Sequence, residues 1–235
     1  MRQGLFALLL LLFVAPFPAY PQQSTQWQSL FDGKSTSGWA TAGSDPSSAF
    51  PTASWSIQDG WIHALPNLTG PVQDIRTQAA FRSFELEWEW RCGPEGNSGV
   101  KYLILAYDSA GKGGAANARG RGLEYQLGGE RGDAKASRDP RYLPGALYGV
   151  FAPPPDSASI DSSRIHNSRL IVRGQQVEHW LDGRRVAAFS LTAPELAAIS
   201  RRRPFPASTA WDSPIVLQHH RQAFWFRNLR VRRLD

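Results

Sequence analysis

Residues Phe84 to Arg91 alternate strictly between apolar and charged. Phe84, Leu86, Trp88 and Trp90 form one set, and Glu85, Glu87, Glu89 and Arg91 the other. A period of two puts each set on its own face of an extended strand, the pattern of a half-buried β-strand. The carboxylate row then reads as an exposed sheet face. Similar runs predict strands at Trp55–Gln58, Trp61–Leu65, Val100–Tyr107, Gly122–Leu127, Leu147–Ala152, Ser168–Arg173, Gln176–Leu181, Arg184–Ser190, Ile215–His219 and Ala223–Arg232. Asp59-Gly60 and Asp182-Gly183 stand between paired runs, as two-residue hairpin turns do. Gly93 to Gly99 reads as a hairpin loop joining the strands on either side, with Asn97-Ser98-Gly99 as a turn. Only Ala193–Ser200 reads as a short helix, with Thr192 as its cap and Glu195 three residues on. The pattern predicts an all-β, antiparallel sandwich or jelly roll with one short helix.

Composition narrows this. A chain of 235 residues with 42% hydrophobic and 20% charged residues has enough apolar surface for a sizeable core. Gly111–Arg121 and Pro153–Asp161 are loops too short to link domains, so residues 24–235 read as a single domain. Arg2, the apolar run Leu5–Ala15 and the Pro-rich, polar stretch after it predict a secretory signal peptide over residues 1–23. The expected location is periplasmic or secreted, with no stable membrane insertion after cleavage. Cys92 is the single cysteine, which excludes an internal disulfide and any zinc site built on several cysteines. The net charge of +6 comes mainly from arginine. No nucleic-acid-binding motif accompanies it, so it reads as solvated surface and nucleic acid is not an expected partner. Nucleotide-binding glycine loops and a G-x-S-x-G nucleophile are also absent.

Polar residues gather on particular strand faces. Glu124 and Gln126 are two apart and point the same way, as do Gln218 and His220 if their strand continues. Arg91 shares a face with Glu89, and Lys101 opens the strand after the Asn97-Ser98-Gly99 turn. Such faces, flanked by Trp and Tyr rings that stack on sugar C–H surfaces, suit a carbohydrate. His219 and His220 are adjacent and point to opposite faces, so they do not form one metal clamp. His179 reads as a packed strand residue.

In order along the chain stand Leu30-Phe31-Asp32-Gly33-Lys34, Trp55-Ser56-Ile57-Gln58-Asp59-Gly60, Phe84–Arg91, Gly96-Asn97-Ser98-Gly99-Val100-Lys101-Tyr102, Leu123-Glu124-Tyr125-Gln126, Val177–Gly183, Leu217-Gln218-His219-His220 and Phe226–Val231. In this order they resemble the 3-keto-disaccharide hydrolase domain family, which implies a concanavalin-like jelly-roll sandwich. Two departures stand out. The aspartates that usually follow E-Y-Q are missing from Leu127-Gly128-Gly129-Glu130, and the usual L-Q-D-H-G is Leu217-Gln218-His219-His220-Arg221.

The resemblance implies cleavage of glycosides already oxidised at C3 by a separate sugar 3-dehydrogenase, the expected functional partner. A base removes the C2 proton, the C1 substituent leaves by β-elimination, and water adds to the product. No redox cofactor is needed; a divalent cation acting as Lewis acid at the keto oxygen is left open, as is its identity. The implied catalytic residues are Glu124 and His220 as base or acid, with Lys101 at the enolate oxygen. Arg91, Asn97, Gln126, Tyr148, Trp180 and Gln218 are the expected substrate-binding residues. The competing expectation is a non-catalytic carbohydrate-binding sandwich of the cell envelope.

Overall fold

A computed structural model describes residues 26–108, 119–157, 160–196 and 212–234. The expected signal peptide lies outside these residues. So does half of the expected helix: of Ala193–Ser200, residues 193–196 are described, and 194–196 are helical.

Two antiparallel sheets pack face to face. The larger has β11 (Arg184–Ser190), β10 (Gln176–Leu181), β9 (His166–Arg173), β6 (Phe84–Cys92), β13 (Phe224–Arg233), β4 (Trp61–Ala64) and β3 (Trp55–Gln58) side by side, with β1 (Gln28–Ser29) added on β13. The smaller runs β2 (Trp39–Thr41), β5 (Ile75–Thr77), β12 (Val216–Leu217), β7 (Asn97–Asp108), β8 (Arg119–Gly128). Asp59-Gly60 and Asp182-Gly183 make the two expected hairpin turns. All four residues have positive φ, the conformation that matches the twist of the strands they join.

The apolar set of β6 faces inward with Trp55, Tyr102, Tyr125, Phe224 and Phe226, all essentially buried. Burying such a side chain contributes about 1.5–3 kcal/mol, so this layer of rings is the main cohesion of the sandwich. Polar pins cross it. The Tyr102 hydroxyl lies 2.8 Å from His179 Nε2, and the Tyr125 hydroxyl donates to the Trp180 carbonyl at 2.9 Å. His179 Nδ1 in turn faces the Gly145 carbonyl at 3.0 Å, so His179 is the packed strand residue its pattern predicts.

Three expectations change. The segment after β6 is not a hairpin loop: β6 pairs with β9 and β13, whereas β7 pairs with β8 and β12 in the other sheet. Asn97, Ser98 and Gly99 are not a turn but open β7, opposite Gly128, Leu127 and Gln126. The reversal is made earlier, where Gly96 N–H donates to the Gly93 carbonyl. Leu147–Ala152 is not a strand either; Leu147 forms isolated bridges to Tyr125 and Phe151. Because β6 and β7 belong to different sheets, their outer faces look out from opposite sides of the molecule.

Candidate functional site

The smaller sheet carries charge on its outer face in an unusually covered setting. Lys101 on β7 and Glu124 on β8 are direct cross-strand partners, with Nζ 3.6 Å from Oε2. Their side chains are only 9% and 13% exposed, so they lie in a recess rather than on an open sheet. β12 stops at Leu217, yet the chain stays in register: Gln218 N–H donates to the Gly99 carbonyl at 2.9 Å. The Gln218 side-chain oxygen accepts from Lys101 Nζ at 3.1 Å. Its NH₂ group lies 3.2 Å from Glu124 Oε1 and 2.8 Å from His220 Nε2. The amide orientation follows from those partners, and both ends of the amide lie near His220 Nε2, the oxygen at 3.3 Å. Gly99 is required beneath this group: a Cβ there would come within 2.7 Å of Glu124 Oε1.

A second layer holds the loop. Asp74, fully buried just before β5, accepts through Oδ1 from Arg119 Nη1 and from the His219 backbone N–H at 2.9 Å. Arg119 also donates to the His219 carbonyl at 3.0 Å. The His219 ring turns into the core, with Nε2 facing the Ser54 carbonyl and Nδ1 accepting from Arg221 N–H, each at 3.0 Å. Those partners set it as the neutral Nε2–H tautomer. Neighbouring positions thus divide the work: His219 anchors while Gln218 and His220 face the recess.

The electrostatics follow from burial. Burial raises the Glu124 carboxyl above its ordinary range, with the Asp74 carboxylate adding to the rise and Lys101 and Arg119 opposing it. Burial also raises Asp74, opposed by Lys101, Arg119 and the His219 N–H. Burial, followed by the positive charges of Arg119 and Lys101, lowers His220 to about 4. At neutral pH the recess therefore presents an uncharged imidazole next to a carboxyl of raised proton affinity and two cations.

The other expected site residues divide. Asn97 and Gln126 adjoin the cluster, with Gln126 Nε2 donating to Asn97 Oδ1 at 3.0 Å; at 1% exposure Gln126 supports Asn97 from below. Tyr148 is tied to the cluster strand by its N–H, which donates to the Glu124 carbonyl at 3.1 Å. Its hydroxyl donates to Asp133 Oδ2 and accepts from Lys135 Nζ, both at 3.1 Å. Arg91 and Trp180 do not join them. Arg91 lies on the outer face of the larger sheet, 4.8 Å from the Trp61 ring and 5.0 Å from that of Trp225. Trp180 is on β10 of the same sheet, with Arg169 stacked 4.2 Å from its ring. Both sit on the opposite side of the sandwich because β6 and β10 are not neighbours of β7. Asp74 and Arg119 are the residues that strand pattern alone does not single out; three-residue β5 is too short to show a period.

The residues also bear on the cation left open by the sequence. Among the described residues no three His, Cys, Asp or Glu side chains converge as metal ligands. The Lys101 ammonium stands between Glu124 and Gln218, where a cation would compete with it. The donor set of the recess does not fit a metal ion.

The fold and recess define a β-sandwich with acid–base side chains gathered on one sheet. The chain belongs to the 3-keto-alpha-glucoside-1,2-lyase-like domain family, whose model matches residues 26–232. It is 26% identical to a 3-keto-disaccharide hydrolase of Bacteroides thetaiotaomicron, over 92% of this chain and 81% of that protein. A solved structure from Parabacteroides distasonis, provisionally named a glycosyl hydrolase, superposes with a TM-score of 0.67 at 22% identity, covering 89% of this chain and 94% of that one. β-Agarase A from Zobellia galactanivorans superposes with a TM-score of 0.51 at 12% identity, covering 93% and 96%. The solved structures share the fold, an all-β sandwich.

Proposed function

We propose that the protein cleaves 3-keto-glycosides by elimination and hydration, with the recess on the smaller sheet as its active site. The observation that carries this reading is the contact of Lys101, Glu124, Gln218 and His220 in one sheltered hollow. The family and the Bacteroides relative supply the substrate class.

In this reading the C3 ketone acidifies the C2 hydrogen, and Glu124 takes that proton. Its raised proton affinity makes it a stronger base than a free carboxylate. The C2–H electron pair moves into C2–C3, and the C3 oxygen becomes anionic beside Lys101 and Arg119. Collapse of this enolate forms the C1–C2 double bond and breaks C1–O. The departing oxygen receives the proton from Glu124, while neutral His220 offers a hydrogen bond without adding charge. Water then adds its oxygen to C1, and its proton reaches C2 through Glu124, giving the free 3-keto sugar. Gln218 holds the Glu124 carboxyl, the His220 ring and the Lys101 ammonium in one geometry throughout.

The test is turnover of a 3-keto-glucoside with a chromogenic leaving group, alongside the same glucoside unoxidised. Release is expected from the first alone. Binding without release from either would make the protein a non-catalytic carbohydrate-binding sandwich. Arg2 and the apolar run Leu5–Ala15 support export, which the N-terminal sequence of protein recovered outside the cytoplasm would check. An enzyme that oxidises a sugar C3 hydroxyl must then supply the substrate.

A further inference from the structure

The larger sheet has its own depression, a groove of about 880 Å³ on its outer face. Five adjacent strands build it in the order β10, β9, β6, β13, β1. Trp180 stands at one end and Trp27, just before β1, at the other; Asn167, Arg169, Glu87, Glu89 and Arg230 lie between them. The hollow coincides with a bulge in β13, where the register against β6 shifts between Arg227 and Arg230 and Asn228 has a φ of 51°. A bulge bends the strand and breaks the flatness of the sheet.

We propose that this groove is a second binding site, for a neutral oligosaccharide. Its volume falls in the range of small-molecule sites. Two carboxylates and two guanidinium groups line it, so its charges balance and it offers no net attraction to a polyanion. β10, β9, β6 and β13 are paired on both sides, and β1, which pairs only with β13, is two residues long, so an added peptide strand has little backbone edge to join. What remains is a row of donors and acceptors matching vicinal hydroxyls, with an indole at each end for a sugar ring. Guanidinium groups lie over both indoles: Arg169 4.2 Å from the Trp180 ring, and Arg230 and Arg232 4.6 and 4.9 Å from that of Trp27. Both remain part-exposed. The Glu87 carboxylate meets Arg230 through Oε2 only, at 2.6 Å, which leaves Oε1 for a hydroxyl.

The test is calorimetric titration of the whole protein with cellohexaose, maltohexaose and xylohexaose, with polygalacturonate as the charged comparison. At least one neutral probe should bind. Trp27→Ala and Asn167→Ala should each weaken that binding about tenfold, the loss that about 1.4 kcal/mol of stacking or hydrogen bonding represents. Glu124→Gln should leave it unchanged, which separates this site from the recess. Near-UV circular dichroism confirms folding, and the exposed Asn167 gives a variant independent of the indole. Binding of no neutral probe, of polygalacturonate alone, or binding lost in Glu124→Gln and kept in both groove variants would overturn the proposal.

Discussion

The outer faces of the two sheets use the same residue types to opposite ends. On the larger sheet, glutamates of β6 meet arginines of β13 one for one: Glu85 with Arg232, Glu87 with Arg230, Glu89 with Arg227. Two of these pairs keep substantial contact with water, and only Glu85 is sealed, beneath Arg232 and Arg169. On the smaller sheet, Lys101, Glu124 and Asp74 are nearly or fully enclosed, and none has a simple one-to-one partner. Charge that is paired and wet costs little and does little. Charge that is enclosed and shared among several groups shifts proton affinities, and such groups cluster where chemistry occurs.

The largest test of that contrast is Glu124→Gln. The amide keeps the shape and loses the base, so turnover of a 3-keto-glucoside should fall about 10²–10⁴-fold with the circular dichroism spectrum unchanged. A folded Glu124→Gln protein with full activity would sink the assignment.

Acid should unfold the protein through its histidines. His179, His219 and His220 are each lowered to about 4 from an ordinary value of 6.5, chiefly by burial. Their folded values lie below the unfolded ones, so between these limits the unfolded chain binds more protons. The stability they contribute is fully present above about pH 6.5 and drains away as the pH falls toward 4. His63, also lowered, adds to this uptake, while His166, Asp74 and Glu124 are shifted up and oppose it. Urea melts at pH 7 and pH 5 would measure it; equal midpoints would contradict the burial of the three rings.

Asp74→Ala should cost about 2–3 kcal/mol, because it leaves the buried His219 N–H without its acceptor and Arg119 with only the His219 carbonyl. Arg119 is part-exposed and can recover some hydration, which limits the loss. The loop carrying Gln218 and His220 should loosen, so kcat should fall as well. Urea melts read the first effect and steady-state kinetics the second. Gly99→Ala is smaller and sharper. Its methyl group would meet Glu124, which must swing away, so a tenfold or somewhat greater loss of kcat is expected with little change in melting.

Much of this was legible in the sequence, for physical reasons that also mark its limit. The alternation in β6, the two Asp-Gly hairpins and the shared face of Glu124 and Gln126 are local, and local stereochemistry reports them directly. Gln218 and His220 come together even though β12 ends at Leu217, because the Gln218 N–H still bonds to the Gly99 carbonyl. What local pattern does not carry is which sheet a strand joins. Arg91 and Trp180 lie on polar faces of well-formed strands, but those strands belong to the larger sheet, so both residues face away from the recess. Asp74 escapes for a different reason: its role comes from contacts with Arg119 and His219, far away in the chain, and nothing nearby signals it.

The smallest expected effect completes the contrast between the faces. Glu87 and Arg230 form a double hydrogen bond through Arg230 Nε and Nη2, at 2.9 and 2.6 Å, in a setting where Arg230 is more than half exposed. Good geometry favours the pair, but water screens it and two long side chains lose freedom to make it. A double-mutant cycle with Glu87→Gln and Arg230→Gln should give a coupling of about 0.2–1 kcal/mol, shrinking as salt is raised. The matching cycle across Lys101 and Glu124 should couple more strongly and respond less to salt, because enclosure excludes the screening ions. Equal couplings with equal salt dependence would mean that the recess is as wet as the outer ladder, and the raised proton affinity of Glu124 would lose its cause.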